Sequence, residues 1–179
     1  SDWSAASYMY LWVLAAEHLQ IEINDLYKNS IQGDSVVVDF FEKLGVTTNW
    51  ISEHQVLISK TQNKVDDYLE FDCTNCPDLA PTVAVAAFVT KRKVTLKGLQ
   101  NLIYKESNRL EALYTELNKF SAGAAVIKEN HILYIHRTEA IDFNPVLETY
   151  HDHRMAMAFS VLAYYGDLKM SEPGVVSKS

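Results

Sequence analysis

Two stretches of this chain gather cations and carboxylates at spacings suited to handling a small anion. One is Asn101 followed by Lys105-Glu106-Ser107-Asn108-Arg109, and the other is Asp152-His153-Arg154 at the front of an apolar Ala/Met run. Two single charges join them, Asp78 at the head of an Ala/Val-rich run and Lys178 near the end of the chain. Arg offers a planar fork and Lys a point charge to phosphate or carboxylate. A helix start adds free N–H groups and the positive end of the dipole. Two carboxylates among such cations, Asp78 and Glu106, can divide the roles of acid and base. Each residue also has a plainer role. Asp78 and Asp152 can be N-caps, Asn101 a turn residue, and Lys105 and Arg109 a solvated helix face. Glu106 and Arg109 can be a surface i,i+3 pair worth about 0.3 kcal/mol.

The elements that carry these residues repeat, and the repeat favours the collective reading. The first copy predicts an Ala-rich helix over Ser4–Leu19 with Ser4 as N-cap, a strand at Ile21-Glu22-Ile23 and a polar turn at Tyr27-Lys28-Asn29-Ser30. An amphipathic helix over Val36–Leu44, closed by Gly45, and strands near Val46–Ile51 and Gln55–Ser59 follow. The second copy predicts a helix over Asp78–Val89 with Pro81 tolerated in its first turn, and a strand at Val94-Thr95-Leu96. Its turn, Tyr104-Lys105-Glu106-Ser107, echoes that of the first copy; a helix over Leu110–Phe120 and strands at Ala124–Ile127 and Ile132–Ile135 complete it. A third begins at Asp152, with a helix to about Tyr164 and a strand at Leu168-Lys169-Met170.

With Tyr68-Leu69-Glu70-Phe71 leading into the second copy, the unit permutes to βαβαββ. The expected fold is a single α/β domain over 1–179, a pseudo-threefold repeat of βαβαββ units spanning roughly 1–62, 63–137 and 138–179, the third truncated. First helices apolar on every side are expected to be deeply buried. Equivalent loop ends would then share one rim, placing Lys105, Arg109, Arg154 and Lys178 beside Asp78 and Glu106 as a local surplus of cations.

The 179 residues, 48% hydrophobic and 22% charged, are those of an ordinary globular domain. A net charge of −7 argues against nucleic acid or an anionic membrane as main partner. No apolar run approaches the ~20 residues of a membrane span, and Ser1-Asp2-Trp3 lacks the basic start of a signal peptide. The chain does not begin with Met and stops abruptly after Val176-Ser177-Lys178-Ser179, as a fragment would. Cys73 and Cys76 form one C-x-x-C, followed at once by Pro77. Although His151 and His153 could complete a zinc site, free thiols in a cytoplasmic setting are expected. The six His show no convincing metal spacing, so no metal is expected. The nucleotide and hydrolase signatures G-x-x-x-x-G-K-[ST], G-x-G-x-x-G and G-x-S-x-G do not occur. Lys91-Arg92-Lys93 reads as a solvated turn.

Taken in order, several runs resemble the C-terminal half of the 3-phosphoshikimate 1-carboxyvinyltransferases, the EPSP synthases. They are Asp2-Trp3-Ser4-Ala5-Ala6-Ser7-Tyr8, Ser30-Ile31-Gln32-Gly33-Asp34, Pro77-Asp78-Leu79-Ala80-Pro81-Thr82, Asn101-Leu102, Lys105-Glu106-Ser107-Asn108-Arg109 and Asp152-His153-Arg154-Met155-Ala156-Met157. The resemblance covers nearly the whole chain and implies one domain of the inside-out α/β barrel of enolpyruvyl transferases. It implies transfer of the enolpyruvyl group of phosphoenolpyruvate to the 5-hydroxyl of shikimate 3-phosphate, with release of phosphate and no cofactor. By similarity, Asp78 would take the hydroxyl proton and Glu106 would move protons at the methylene carbon. Asp78, Asn101 and Lys105 would touch shikimate 3-phosphate; Arg109, Arg154 and Lys178 would hold phosphoenolpyruvate; His153 would support. The chain departs from the family in having Asn108 where Asp is usual, and Leu102, Ile103 and Tyr104 where an Arg is frequent. The resemblance also implies an N-terminal domain outside this chain that supplies the rest of the pocket, so the chain alone would be inactive. The alternative expectation is a non-catalytic anion-binding or regulatory module built on the same domain.

Overall fold

In a computed structural model, residues 2–61 and 64–178 are described, Lys178 by its backbone alone. The chain runs through α1 (Trp3–Ala15), β1 (Gln20–Asn24), α2 (Val37–Leu44), β2 (Val46–Ser52), β3 (Gln55–Lys60) and β4 (Tyr68–Asp72). It continues through α3 (Ala80–Val89), β5 (Lys93–Lys97), α4 (Arg109–Phe120), β6 (Ala125–Lys128), β7 (Ile132–Ile135), β8 (Val146–Leu147), α5 (His153–Phe159) and β9 (Lys169–Met170). Short 3-10 segments precede α2 and α3, span Gln100–Tyr104, extend α5 over Ser160–Tyr164, and close the described chain at Pro173–Lys178.

The strands form three sheets. One is antiparallel in the order β1-β3-β2; one has the order β4-β5-β7-β6, with β4 parallel to β5 and the rest antiparallel; β8 and β9 make a parallel pair. Parallel neighbours need a crossover connection, and α3 provides it between β4 and β5, as α5 does between β8 and β9. In β4 the side chains alternate, Leu69 and Phe71 inward and the others exposed. The fold is mixed α/β, and the segments β5-β7-β6 and β1-β3-β2 share one strand order.

Helix α3 is buried along its whole length, and it packs against α1 and α5. Its small Ala and Val side chains let neighbouring backbones approach closely, and Thr82 is its one polar side chain. The buried hydroxyls of Ser7 and Thr82 lie 3.1 Å apart across the α1–α3 contact. The amphipathic α2 and α4 cover this centre with one face each: Val37, Phe40, Phe41 and Leu44 from α2, and Leu110, Leu113, Leu117 and Phe120 from α4. Gly45 ends α2 at φ 116°, a conformation that favours glycine, and its N–H returns to the Phe41 carbonyl at 2.8 Å.

Two helix starts differ from expectation. Asp2, not Ser4, caps α1: its Oδ1 accepts from the N–H groups of Ser4 and Ala5 at 3.0 and 3.2 Å, and the Ser4 hydroxyl donates to Asp34 instead. The helix ends at Ala15 rather than Leu19, where exposed Glu17 and His18 take over from the apolar run. Asp78 is not an N-cap. It lies in the 3-10 turn Pro77–Leu79, α3 begins at Ala80, and no side chain caps either start. Pro81 has no N–H to offer, and the Asp78 carboxylate is drawn to cations from other elements. Arg92 is not a purely solvated turn residue either, since its Nη1 donates to the carbonyls of Val65 and Asp66.

Candidate functional site

The N-terminal ends of α3, α4 and α5 meet at one edge of the core, and the charges read from the sequence meet there with them. Arg109 is the first residue of α4, which Asn108 caps by accepting from the Glu111 N–H at 3.2 Å. The Arg109 side chain, only 3% exposed, points into the gap between the other two starts. Its Nε and Nη2 grip the Asp152 carboxylate at 2.6 and 3.1 Å, and its Nη1 donates to Asp78 Oδ1 at 2.9 Å. This bidentate pair is buried on both sides, Asp152 being 0% exposed.

Asp152 also caps α5, accepting from the Arg154 N–H at 2.9 Å, and takes the Ser107 hydroxyl at 3.0 Å. Burial alone pushes its carboxyl up. The bonds and charge of Arg109, with the Arg154 N–H and Ser107, outweigh that and hold it below the usual carboxylate range.

Asp78 is the shared centre of the remaining cations. Besides Arg109, it has Lys105 Nζ 3.1 Å from Oδ1 and Arg154 Nη2 3.2 Å from Oδ2. Burial pushes this carboxyl up too, but Arg154, Lys105 and Arg109 carry it below its ordinary value. Glu106 is half exposed, and its Oε2 lies 3.1 Å from His153 Nδ1 and 4.0 Å from Arg109. The i,i+3 pair is therefore long, and His153 is the nearer partner.

The predicted site residues Asp78, Lys105, Glu106, Arg109, His153 and Arg154 thus come together. Asn101 lies exposed in the 3-10 segment Gln100–Tyr104. The backbone of Lys178 ends the last 3-10 segment, and its side chain lies outside the described residues. The expected surplus of cations does not appear among the described residues. Lys105, Arg109 and Arg154 are met by Asp78, Asp152 and Glu106, so an incoming anion would have to compete with Asp78 for Lys105 and Arg154.

Sequence reasoning missed several residues at this edge. Asp152 reads from the sequence only as a cap, yet it is the buried counter-ion of Arg109. Tyr8 is buried near Arg154, and burial raises its hydroxyl pKa against the opposing charge of Arg154. Asp34 is buried and bonded to the Ser4 hydroxyl; burial, and behind it the charge of Asp78, raise its pKa. Gly33 beside it has no room for a β-carbon against the Asn75 carbonyl, which ties the Gln32-Gly33-Asp34 turn to the loop before Asp78. The periodicity of α1 carries no signal for any of these contacts.

Ligating atoms of Glu106, Asp152 and His153 lie within 4.8 Å of one another. This set suits a metal poorly. Both Asp152 oxygens already accept two hydrogen bonds each, and the Arg109 guanidinium occupies the position a cation would take. Cys73 and Cys76 are buried and free, and the hydrogen bond to Cys76, followed by burial, pushes the Cys73 thiol up. No helix among the described residues is long and apolar enough to cross a membrane.

The sequence pattern of the family described as EPSP synthase (3-phosphoshikimate 1-carboxyvinyltransferase) matches residues 1–179. A 3-phosphoshikimate 1-carboxyvinyltransferase of Bacteroides fragilis is 38% identical over 182 aligned positions, covering 100% of this chain and 43% of that relative. One from Escherichia coli is 37% identical over 162 positions, covering 90% of this chain and 36% of the relative. The chain thus spans less than half the length of these relatives. Among solved structures, an EPSP synthase from Acinetobacter baumannii aligns over 99% of this chain and 43% of its own, with a TM-score of 0.74 at 18% identity. That likeness is one of fold.

Proposed function

The chain belongs to the EPSP synthase family, and from that premise we propose that it is one domain of a 3-phosphoshikimate 1-carboxyvinyltransferase, carrying half of the active site. The observation that carries this reading is the Asp78 carboxylate, held at a solvent-reachable edge by Lys105, Arg109 and Arg154. Two anionic substrates brought together need such cations, and the reaction needs a base among them.

On this reading the 5-hydroxyl oxygen of shikimate 3-phosphate bonds to C2 of phosphoenolpyruvate while its proton passes to Asp78. C3 is protonated in the same addition, with Glu106 moving the proton and His153, bonded to it, setting its orientation. Loss of a C3 proton with departure of phosphate from the tetrahedral intermediate then restores the enol ether. Asp78, Asn101 and Lys105 contact shikimate 3-phosphate; Arg154, Lys178 and Arg109 hold phosphoenolpyruvate. Arg109 uses three of its five N–H donors on Asp78 and Asp152, so two remain for a ligand.

Asp78 serves as a placeholder anion. While it holds Lys105 and Arg154 it is a poor base, because they depress its pKa. When substrate anions draw those cations away, its affinity for a proton rises at the moment one must be accepted.

The recurring strand orders support a pseudo-threefold fold of βαβαββ units, the third incomplete here, as one domain of an inside-out barrel. The remaining length of the relatives supports a second domain as the other half of the clamp. We place the reaction in the cytoplasm, where two free buried thiols are at home.

Two results test this. The chain alone, given both substrates, is expected to release no phosphate above background, and adding the missing domain to restore turnover; ready turnover by the chain alone would refute the half-site reading. In the full-length protein, Arg154→Ala is expected to raise the KM for phosphoenolpyruvate by about 10- to 100-fold, the loss of a charge-assisted bond. Steady-state kinetics with KM and kcat both unchanged would remove Arg154 from the site.

A further inference from the structure

We propose that Glu116 and Tyr150 form a positioning device that sets the Asp152-His153-Arg154 helix start, a role that rests on reading that start as part of the transfer site. Glu116 is fully buried, about two turns along α4 from Arg109. A carboxylate in such a place needs partners. Its Oε1 accepts from the Tyr150 hydroxyl at 2.7 Å, and its Oε2 accepts from the Glu148 N–H at 3.2 Å and from Lys119 Nζ at 2.9 Å. Burial, and then the bond to Glu116, push the Tyr150 hydroxyl up, so it stays protonated as the donor.

What these bonds hold is the loop leading into α5. Tyr150 and His151 sit in succession at φ 56° and 54°, in the left-handed region that residues with a β-carbon avoid. Nothing in a short loop sustains two such residues unless the surroundings over-determine them. Here they do. The Asp152 N–H closes the turn onto the Thr149 carbonyl at 3.0 Å. His151 Nδ1 lies 2.7 Å from Glu172 Oε2, and the Ser171 hydroxyl donates to Glu148 Oε1 at 2.9 Å.

Helix α4 therefore grips this segment twice. Arg109 at its start holds Asp152, and Glu116 farther along holds Tyr150, the first of the strained pair, with His151 between the two grips. Two fixed points on one rigid helix leave Asp152 no freedom to slide. Asp152 in turn fixes the Arg154 backbone and the Arg109 fork. Glu116 is fully buried and bonded to Tyr150, Lys119 and the Glu148 N–H, so it acts through Tyr150.

The test uses the full-length protein. In Tyr150→Phe, amide hydrogen exchange at Arg154 is expected to accelerate about tenfold, the factor carried by a lost hydrogen bond to a charged group. Amides of β5 and β7 should keep their protection, and the KM for phosphoenolpyruvate should rise by a similar factor with kcat nearly unchanged. Adding His151→Asn, which tolerates positive φ and keeps a side-chain N–H for Glu172, is expected to recover most of both effects. Unchanged Arg154 exchange in Tyr150→Phe overturns the proposal whatever the kinetics do, and so does a uniform loss of protection that the asparagine does not repair. Local acceleration repaired by asparagine, with no change in kinetics, upholds the device and counts instead against Arg154 as a phosphoenolpyruvate ligand.

Discussion

Asp78→Asn in the full-length protein is expected to lower kcat by about 10²- to 10⁴-fold, the range for loss of a positioned general base, while tightening the binding of inorganic phosphate. The two effects have one origin. Asn keeps the shape and a hydrogen-bond acceptor, but it removes the negative charge that occupies Lys105 and Arg154 in the unliganded site. Those cations become available to an incoming anion just as the proton acceptor disappears. A purely structural Asp78 would lose both properties together, because the helix starts would drift apart. Calorimetric titration with phosphate beside steady-state turnover separates the cases. Weaker phosphate binding at unchanged kcat would refute both the base and the placeholder role.

The unsubstituted protein offers a related check. The free site holds Asp78 below its ordinary pKa, despite burial, through Arg154, Lys105 and Arg109. The acid limb of kcat/KM reports the free protein and that of kcat the complex. With substrates drawing the cations away, the limb of kcat should lie at higher pH than that of kcat/KM.

Arg109→Leu should be the most destabilising single change at this edge, by about 3–5 kcal/mol, the usual result of removing one partner of a buried ion pair. Asp152 has no solvent to turn to, and Ser107 and the Arg154 N–H cannot neutralise a full charge. Arg109→Lys should fall between, since an ammonium cannot reproduce the fork that grips Asp152 while touching Asp78.

Chemical denaturation at several pH values gives a sharper signature. In the natural protein Asp152 has a folded-state pKa below its unfolded value, set against burial by Arg109. Its contribution is present in full above the unfolded pKa of about 4 and is lost as pH falls through the folded value. Without Arg109, burial is left as the dominant influence and the folded pKa lies above the unfolded one. The sign reverses: the Arg109→Leu variant should recover stability relative to the natural protein as pH drops from neutral toward about 4. Parallel pH profiles for the two proteins would show that Arg109 does not govern Asp152.

Much of the fold was legible in the sequence because its signals are local. The amphipathic α2 and α4, the strands around them and the Ala/Val-rich α3 follow from periodicity and composition, and the structure reproduces them to within a residue or two. The errors fall where local propensity meets a distant partner. Ser4 is a good N-cap by type, yet Asp34, thirty residues away, takes its hydroxyl and Asp2 takes the cap. Asp78 is an equally good cap by type, but three cations, from α4, α5 and the loop before α4, claim it. β8 is only two residues long and has no pattern to read; it exists because β9 lies beside it.

The candidate site divides in the same way. By itself the sequence determined which residue types stand at the helix starts, because side-chain chemistry and its placement on a helix of known period are local properties. Order along the chain and resemblance to a family brought Asp78, Lys105, Glu106, Arg109, His153 and Arg154 into one set. Only the tertiary structure decided how their charges are shared. Asp152 became the buried partner of Arg109, Asp78 the common anion of three cations, and Glu116 the anchor of a strained turn. Coulomb and hydrogen-bond energies depend on separation and on exclusion of water, and both are set by packing between elements far apart in the chain.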